Sequence, residues 1–419
     1  MPDPLSTVAD PERLGFSGSR LKRLAEHLRG YTERGYLVGL SAQIARRGEL
    51  AFAQTFGHQA KGGAPLTPES LFRIYSMTKP VTTVAALILF EEGLLKLTDP
   101  VTTYLPAFKK TKVCVGSEHQ GVKLEPQARE ITVQHLMTHT AGLSYGWYQD
   151  TPVDALYRAT GVDPATVPLG DFVDLLAAQP LAFQPGSHWR YSHATDVLGH
   201  LVEVVADESL DSFLTRRIFE PLGMVDTGFG VPSAKVGRFT SVYCPTEAFG
   251  FGADYSQLAP GGPIYPVDTP ETSRFVEPEI PLVGYSGGGG LVSTLPDYMR
   301  FAQMLLNGGT FGGARILGRK TTHLMTVNHV PGHIRPLEIG GVEMLGTGFG
   351  LGVSVLEDVA ASGSLGSRGQ YGWSGAAMTD FWVDPAEDLI GVFMTQFMPS
   401  DFYEVSREFR VLTYAALTD

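Results

Sequence analysis

The sequence has only two cysteines in 419 residues, Cys114 and Cys244, too few for a disulfide framework and in keeping with a reducing compartment. It has no uninterrupted apolar run of transmembrane length, and residues 1–15 carry neither a basic nor an apolar stretch. No membrane span and no signal peptide are therefore expected. Positive charge is scarce: 32 Lys and Arg against 44 Asp and Glu leave a net charge of -12. With no Lys/Arg cluster either, partnership with nucleic acid or an anionic membrane is not expected. Repeats and low-complexity tracts are absent as well. What is present is a 43% hydrophobic chain of near-zero mean hydropathy, with ample core for one large domain or two intertwined ones. The expected setting is the cytoplasm, as a monomer or homodimer.

Patterning outlines the order of elements. Residues 12–32 read as an amphipathic helix, and 38–46 with 49–56 as a strand pair turning at Arg47-Gly48. Residues 71–75 read as a strand end and 81–90 as a helix that is apolar on every side, with Thr98-Asp99-Pro100 as a stop. From about 106 to 285 the texture changes to short helices and long Gly/Pro-rich loops. After Gly287-Gly288-Gly289-Gly290 a helix opens at Pro296. Strands follow at 348–356, 375–383 and 389–396, then a closing helix over 402–417. Residues 1–105 and 286–419 are thus expected to form one sheet covered by helices, an α/β (α+β) class, with 106–285 inserted as a mostly helical lobe.

Ser76-Met77-Thr78-Lys79 carries the most chemistry, because residues at i and i+3 share a helix face and this pair would set a hydroxyl beside an amine. Pro80 is tolerable only in a first helical turn, which places Ser76 at or next to a helix N-terminus, where free backbone N–H groups favour an anion. The plain alternative for so short a pattern is an N-cap serine with a solvated lysine. A second segment, 185–193, sets Tyr191 on a loop ahead of a helical pattern at Val197, Leu198, Leu201, Val204 and Val205. A phenol beside an ammonium becomes a possible proton shuttle. The third segment is Tyr371-Gly372-Trp373-Ser374-Gly375-Ala376, whose small residues let backbone approach a ligand; the Ala376 and Ser76 amides can pair as an oxyanion hole.

In this order the three segments resemble the serine β-lactamase and penicillin-binding-protein superfamily. The nearest branch is that of the class C β-lactamase-like esterases, the family VIII carboxylesterases. Supporting text spans nearly the whole chain: Leu14-Gly15-Phe16, Glu92-Gly93, residues 136–143, Pro221-Leu222-Gly223-Met224, and 286–294 ahead of Asp297-Tyr298. The resemblance implies an antiparallel sheet flanked by helices, with the active site in the cleft against the inserted lobe, and no cofactor or metal. It implies Ser76 as nucleophile, Lys79 and Tyr191 as the acid/base pair, and an oxyanion hole from the Ser76 and Ala376 amides. Two departures stand out. Trp373-Ser374-Gly375 replaces the lactamase Lys-Thr-Gly, removing the cation that would meet a lactam carboxylate, and Tyr191-Ser192-His193 replaces Tyr-x-Asn. Both point to neutral esters, with Trp373, Ser374, Gly375 and His193 at the substrate. Arg368 is the candidate substitute charge that keeps weak lactam hydrolysis open.

Other patterns are weaker. Gly284-Tyr285-Ser286-Gly287-Gly288 matches G-x-S-x-G, but four glycines follow where a nucleophile elbow needs a helix. His135 and His139 have zinc-ligand spacing, but Leu136 stands where a metalloprotease has glutamate, so a structural role is expected. Tyr145, Trp147 and Tyr148 are candidates for an acyl-pocket wall. The expected activity is that of a serine carboxylesterase acting on small, neutral, short-chain ester molecules. The alternatives are an acyltransferase of the same fold, a β-lactamase or D-amino acid peptidase, and a penicillin-binding or sensor module that stalls at the acyl-enzyme.

Overall fold

A computed structural model describes residues 5–115, 122–276 and 284–419. The two ends of the chain meet in one seven-stranded sheet. Its strands are β1 (Gly39–Arg46), β2 (Glu49–Gly57), β3 (Thr347–Phe349), β4 (Ser354–Leu356), β5 (Tyr371–Gly375), β6 (Thr379–Asp384) and β7 (Leu389–Thr395). The order across the sheet is β3-β4-β5-β6-β7-β1-β2, with every neighbouring pair antiparallel. β1 closes on β7 with Ala42 opposite Phe393, and among the described residues 106–276 add no strand to this sheet.

Turn residues set the hairpins. Arg47 and Gly48 have φ of 55° and 78°, the two left-handed positions that a two-residue hairpin needs to match strand twist. Two single strands expected from the sequence are hairpins instead. The stretch 348–356 breaks where Gly350 N–H donates to the Val353 carbonyl, and 375–383 breaks at Met378, whose φ of 59° turns the chain between β5 and β6.

Five helices position the site: α1 (Gly18–Glu33), α2 (Thr78–Glu91), α3 (Ala194–Ala206), α4 (Leu295–Leu306) and α5 (Val405–Ala415). α1 starts at 18 rather than 12 because Ser17 caps it by accepting from Arg20 N–H. α2 ends at Glu91, ahead of the expected stop, where Gly93 takes a φ of 75°. α1 and α5 cover one sheet face, with Leu24, Leu28 and Phe409 clustered against Leu40, Trp382 and Phe393. On the other face Tyr298 of α4 meets Phe381 of β6 edge-on, 5.0 Å between ring centroids. That second apolar cluster continues without a break through α2 and α3. α2 is buried from Thr78 to Leu89 on all sides. Each buried Leu or Val contributes about 1.5–3 kcal/mol, so the residues at its start are held by the core itself. No helix among the described residues is long and apolar enough to cross a membrane.

Candidate active site

Ser76 lies in a 3-10 turn, Tyr75–Met77, between the two-residue strand Phe72–Arg73 and α2. Tyr75 has a φ of 41°, a region that costs a non-glycine residue about 1–3 kcal/mol and persists where the surroundings over-determine it. They do so here. Ile74 N–H donates to the Leu291 carbonyl, Leu291 N–H to Thr78 Oγ1, and the buried Tyr298 hydroxyl to the Met77 carbonyl. Lys79 follows in the first turn of α2, fully buried, with Nζ 3.2 Å from Ser76 Oγ and donating to the Gly288 carbonyl at 2.6 Å.

Tyr191 faces the same lysine with its ring, whose centroid is 4.5 Å from Nζ. Its hydroxyl accepts from Trp373 Nε1 at 3.2 Å rather than meeting Lys79 or Ser76 directly. Trp373 thus reaches Tyr191 from β5, and Phe349 packs on its far side at 5.2 Å. Gly375 ends the strand where a Cβ would lie 2.3 Å from the Ile74 carbonyl oxygen, so only glycine lets this strand end lie against the Ser76 turn. Ala376 follows directly, and neither its amide nor that of Ser76 donates a hydrogen bond among the described residues.

The structure separates the remaining candidates. His193 and Tyr145 join the cluster, 4.3 Å apart by ring centroids, and Tyr145 lies 5.4 Å from Tyr191. Trp147 stacks between Tyr145 and Tyr148. Tyr148 turns away to pack beneath the Arg190 guanidinium at 4.0 Å. Ser374 is exposed and sits opposite Asp380, whose carboxylate takes Ser406 and Arg410 of α5, so its side chain belongs to the α5 face of the sheet. Arg368 is exposed on the turn leading into β5, at the strand end opposite the one that meets Ser76. It is not brought to the nucleophile. His135 Nδ1 accepts from Thr132 N–H in a capping box, and its burial beside Arg129 lowers its pKa to about 4. His139 is fully buried behind Tyr191, and burial together with the Lys79 charge holds it well below the usual histidine range, hence neutral.

Two features of the site have no motif in the sequence. Arg190, next to Tyr191, forks onto the buried Asp154 at 3.0 and 3.1 Å and onto Asp150, clasping the 144–154 aromatic loop to the tyrosine loop. Asp196, in the first turn of α3, accepts from Ser286 Oγ at 2.6 Å, Gly288 N–H at 2.9 Å and His193 Nδ1 at 2.8 Å. Burial alone would raise its pKa, but the hydrogen bond and charge of His193, with Ser286 and Lys79, outweigh it and hold the carboxyl below the usual range. Ser286 is therefore occupied with Asp196, and the next helix starts at Leu295, so no elbow forms around it. A groove of about 540 Å³ runs from Trp373 over the α5 side of the sheet, along Ser374, Asp380, Trp382 and Arg410. A smaller cavity of about 250 Å³ lies between His193, Tyr157 and Phe172.

The chain matches known proteins over most of its length. A family model described as Beta-lactamase matches residues 24–416. The chain is 34% identical over 381 residues to Protein Rv1367c of Mycobacterium tuberculosis, covering 89% of each chain. It is 30% identical over 368 residues to Esterase EstB of Burkholderia gladioli, covering 86% of each. Among solved structures it is similar to EstCE1, described as a hydrolase with promiscuous acyltransferase activity, with a TM-score of 0.76, 27% identity, and coverage of 96% of this chain and 99% of that one.

Proposed function

The chain belongs to the beta-lactamase family, and we propose that this serine hydrolase is a carboxylesterase for small, neutral, short-chain esters, working through an acyl-enzyme on Ser76. The observation that carries the proposal is the buried Lys79 amine 3.2 Å from the Ser76 hydroxyl, in reach for proton transfer. As the neutral amine, Lys79 takes the Ser76 proton while Oγ bonds to the ester carbonyl carbon. The carbonyl oxygen gains the electron pair, and the Ser76 and Ala376 amides are its donors. When the oxyanion collapses, the bond to the alkoxide breaks and Tyr191 gives its proton to that oxygen. With the Tyr191 lone pair engaged by Trp373, its own O–H is free to point at the leaving group. The Lys79 proton then restores the phenol through one bridging water, and hydrolytic water repeats the sequence on the acyl-enzyme.

An indole in place of a cation favours the neutral substrate class, since it offers apolar area and no partner for a carboxylate. The test is a panel of p-nitrophenyl esters beside nitrocefin and a D-Ala-D-Ala peptide. Steady turnover of short esters well above that of nitrocefin is expected. Nitrocefin turnover rivalling the esters would overturn the substrate class, and a burst without turnover would mark a sensor module instead. A second reading, acyl transfer to an alcohol, is favoured by the description of EstCE1 as a hydrolase with promiscuous acyltransferase activity. Product analysis with added alcohol measures how the acyl-enzyme divides between alcohol and water.

A further inference from the structure

Asp196 is 1% exposed, and the reaction just described gives it no part. Its three donors leave it well satisfied, yet one of them belongs to the residue on which Lys79 rests. Gly288 N–H donates to Asp196, and Lys79 Nζ donates to the Gly288 carbonyl. We infer that Asp196 is the positioning residue of Lys79: through the Gly288 backbone it holds the amine against Ser76 and stabilises the ammonium formed as Ser76 attacks. This rests on reading Lys79 as the base, and follows the general rule that a base activating a nucleophile is itself oriented by a third group.

Packing around the glycine run is built for this contact. A Cβ on Gly288 would lie 2.8 Å from Asp196 Oδ2, and one on Gly287 would lie 2.7 Å from the Thr195 carbonyl oxygen. Side chains there would push the strap off α3 and take the Gly288 carbonyl away from the lysine. Thr82, one turn beyond Lys79, donates to the Gly287 carbonyl at 2.8 Å and fastens the strap from the α2 side. The titratable groups facing Lys79 are the Tyr145 and Tyr191 rings, the neutral His139, and Asp196 with its partner His193. Asp196 is the anion among them. In low-dielectric surroundings such an anion interacts favourably with the cation that forms on Lys79 as Ser76 attacks.

Asp196→Asn tests the inference with little change of shape. The amide oxygen can still accept from Ser286 and Gly288, and its NH2 can face the His193 ring. Loss of the anion disfavours the ammonium, so the acid limb of kcat/KM is expected to move to lower pH by about one unit. A base that holds its proton less tightly is weaker, so the kcat plateau should fall about tenfold with KM little changed. A packing role alone would admit water, which favours the ammonium, and leave the limb in place or move it upward. The 15Nζ resonance of Lys79, identified by its loss in Lys79→Arg, supplies a readout independent of turnover. A limb that stays put in an enzyme that hydrolyses esters overturns the inference and leaves the esterase reading standing. A Lys79 titration that moves downward in a protein without ester turnover does the reverse. Should Asp196→Asn not fold, Thr82→Val, which frees the strap but keeps the anion, should lower kcat with the limb unmoved; an undiminished kcat would overturn the inference as well.

Discussion

Trp373→Phe separates the two roles that the indole plays. The ring packs 5.3 Å from Tyr191 and 5.2 Å from Phe349, while Nε1 donates to Tyr191 Oη at 3.2 Å. Phenylalanine keeps a ring on the same sheet face and loses the donor. A neutral hydrogen bond contributes about 1 kcal/mol and one to a charged group about 1.5–3 kcal/mol. The donor therefore contributes roughly 1–2 kcal/mol more when Tyr191 carries phenolate character in the transition state, which is about 5- to 30-fold in kcat. KM for p-nitrophenyl acetate should hardly change, since the difference is made only in the transition state. The smaller ring also leaves a partly filled space, costing about 1–2 kcal/mol of stability in urea unfolding. In a Tyr191→Phe background the same change should cost nothing further in kcat, because the pair acts as a unit. If kcat is unchanged while stability falls, the indole is packing and Tyr191 is not a proton donor; additive losses in the double variant would refute the pairing itself.

Further outcomes are expected from the same geometry. Ser76→Ala should lower ester kcat on the order of 10³-fold or more, since only binding and the oxyanion amides remain; Ser286→Ala should keep measurable turnover, and the reverse ranking in p-nitrophenyl acetate assays would move the nucleophile. Trp373→Lys should shift the ratio of nitrocefin to ester kcat/KM toward the lactam, with an upper bound of roughly a hundredfold for one charge-assisted contact; an unmoved ratio would show that residue 373 does not select the substrate class. Arg190→Met should cost about 3–5 kcal/mol in urea unfolding, because it strands the fully buried Asp154, and it should raise ester KM by releasing the aromatic loop. Stability should fall as pH drops from about 6.5 toward 4, by up to about 1.4 kcal/mol per unit. His135 and His139, both depressed first by burial, bind their protons more readily when unfolded, whereas Asp297, raised to about 6 by burial, opposes only one of them. Urea midpoints at pH 7 and 5 check the sign, and a midpoint that rises on acidification would contradict it.

The nucleophile pair was legible because its geometry is local. An i,i+3 spacing and a proline in the first turn are written in four neighbouring residues, and Lys79 Nζ indeed lies 3.2 Å from Ser76 Oγ. The strand pair turning at Arg47-Gly48 was legible for the same reason. Two other hairpins are not: 348–356 turns at Gly350 and Gly352 inside an apolar run that reads as one strand, and Met378 adopts a positive φ that its residue type does not announce. Family resemblance carries what spacing does not, joining Ser76, Tyr191 and Trp373 across some 300 residues.

Composition and local pattern by themselves determined a water-compatible acidic chain, its order of helices and strands, and the Ser76-Lys79 pair at a helix start. Those properties depend on residue type and on neighbours a few positions away. Tertiary structure alone decided the partners. It paired the Tyr191 hydroxyl with the indole of Trp373 while laying the phenol ring against the lysine, and set Ser374 on the α5 face and Arg368 away from the nucleophile. It also brought Asp196 and Gly288 to Lys79 from positions 117 and 209 residues away. A buried carboxylate is tolerated only where several donors converge, and convergence across such distances is a property of the folded chain, which no local pattern records.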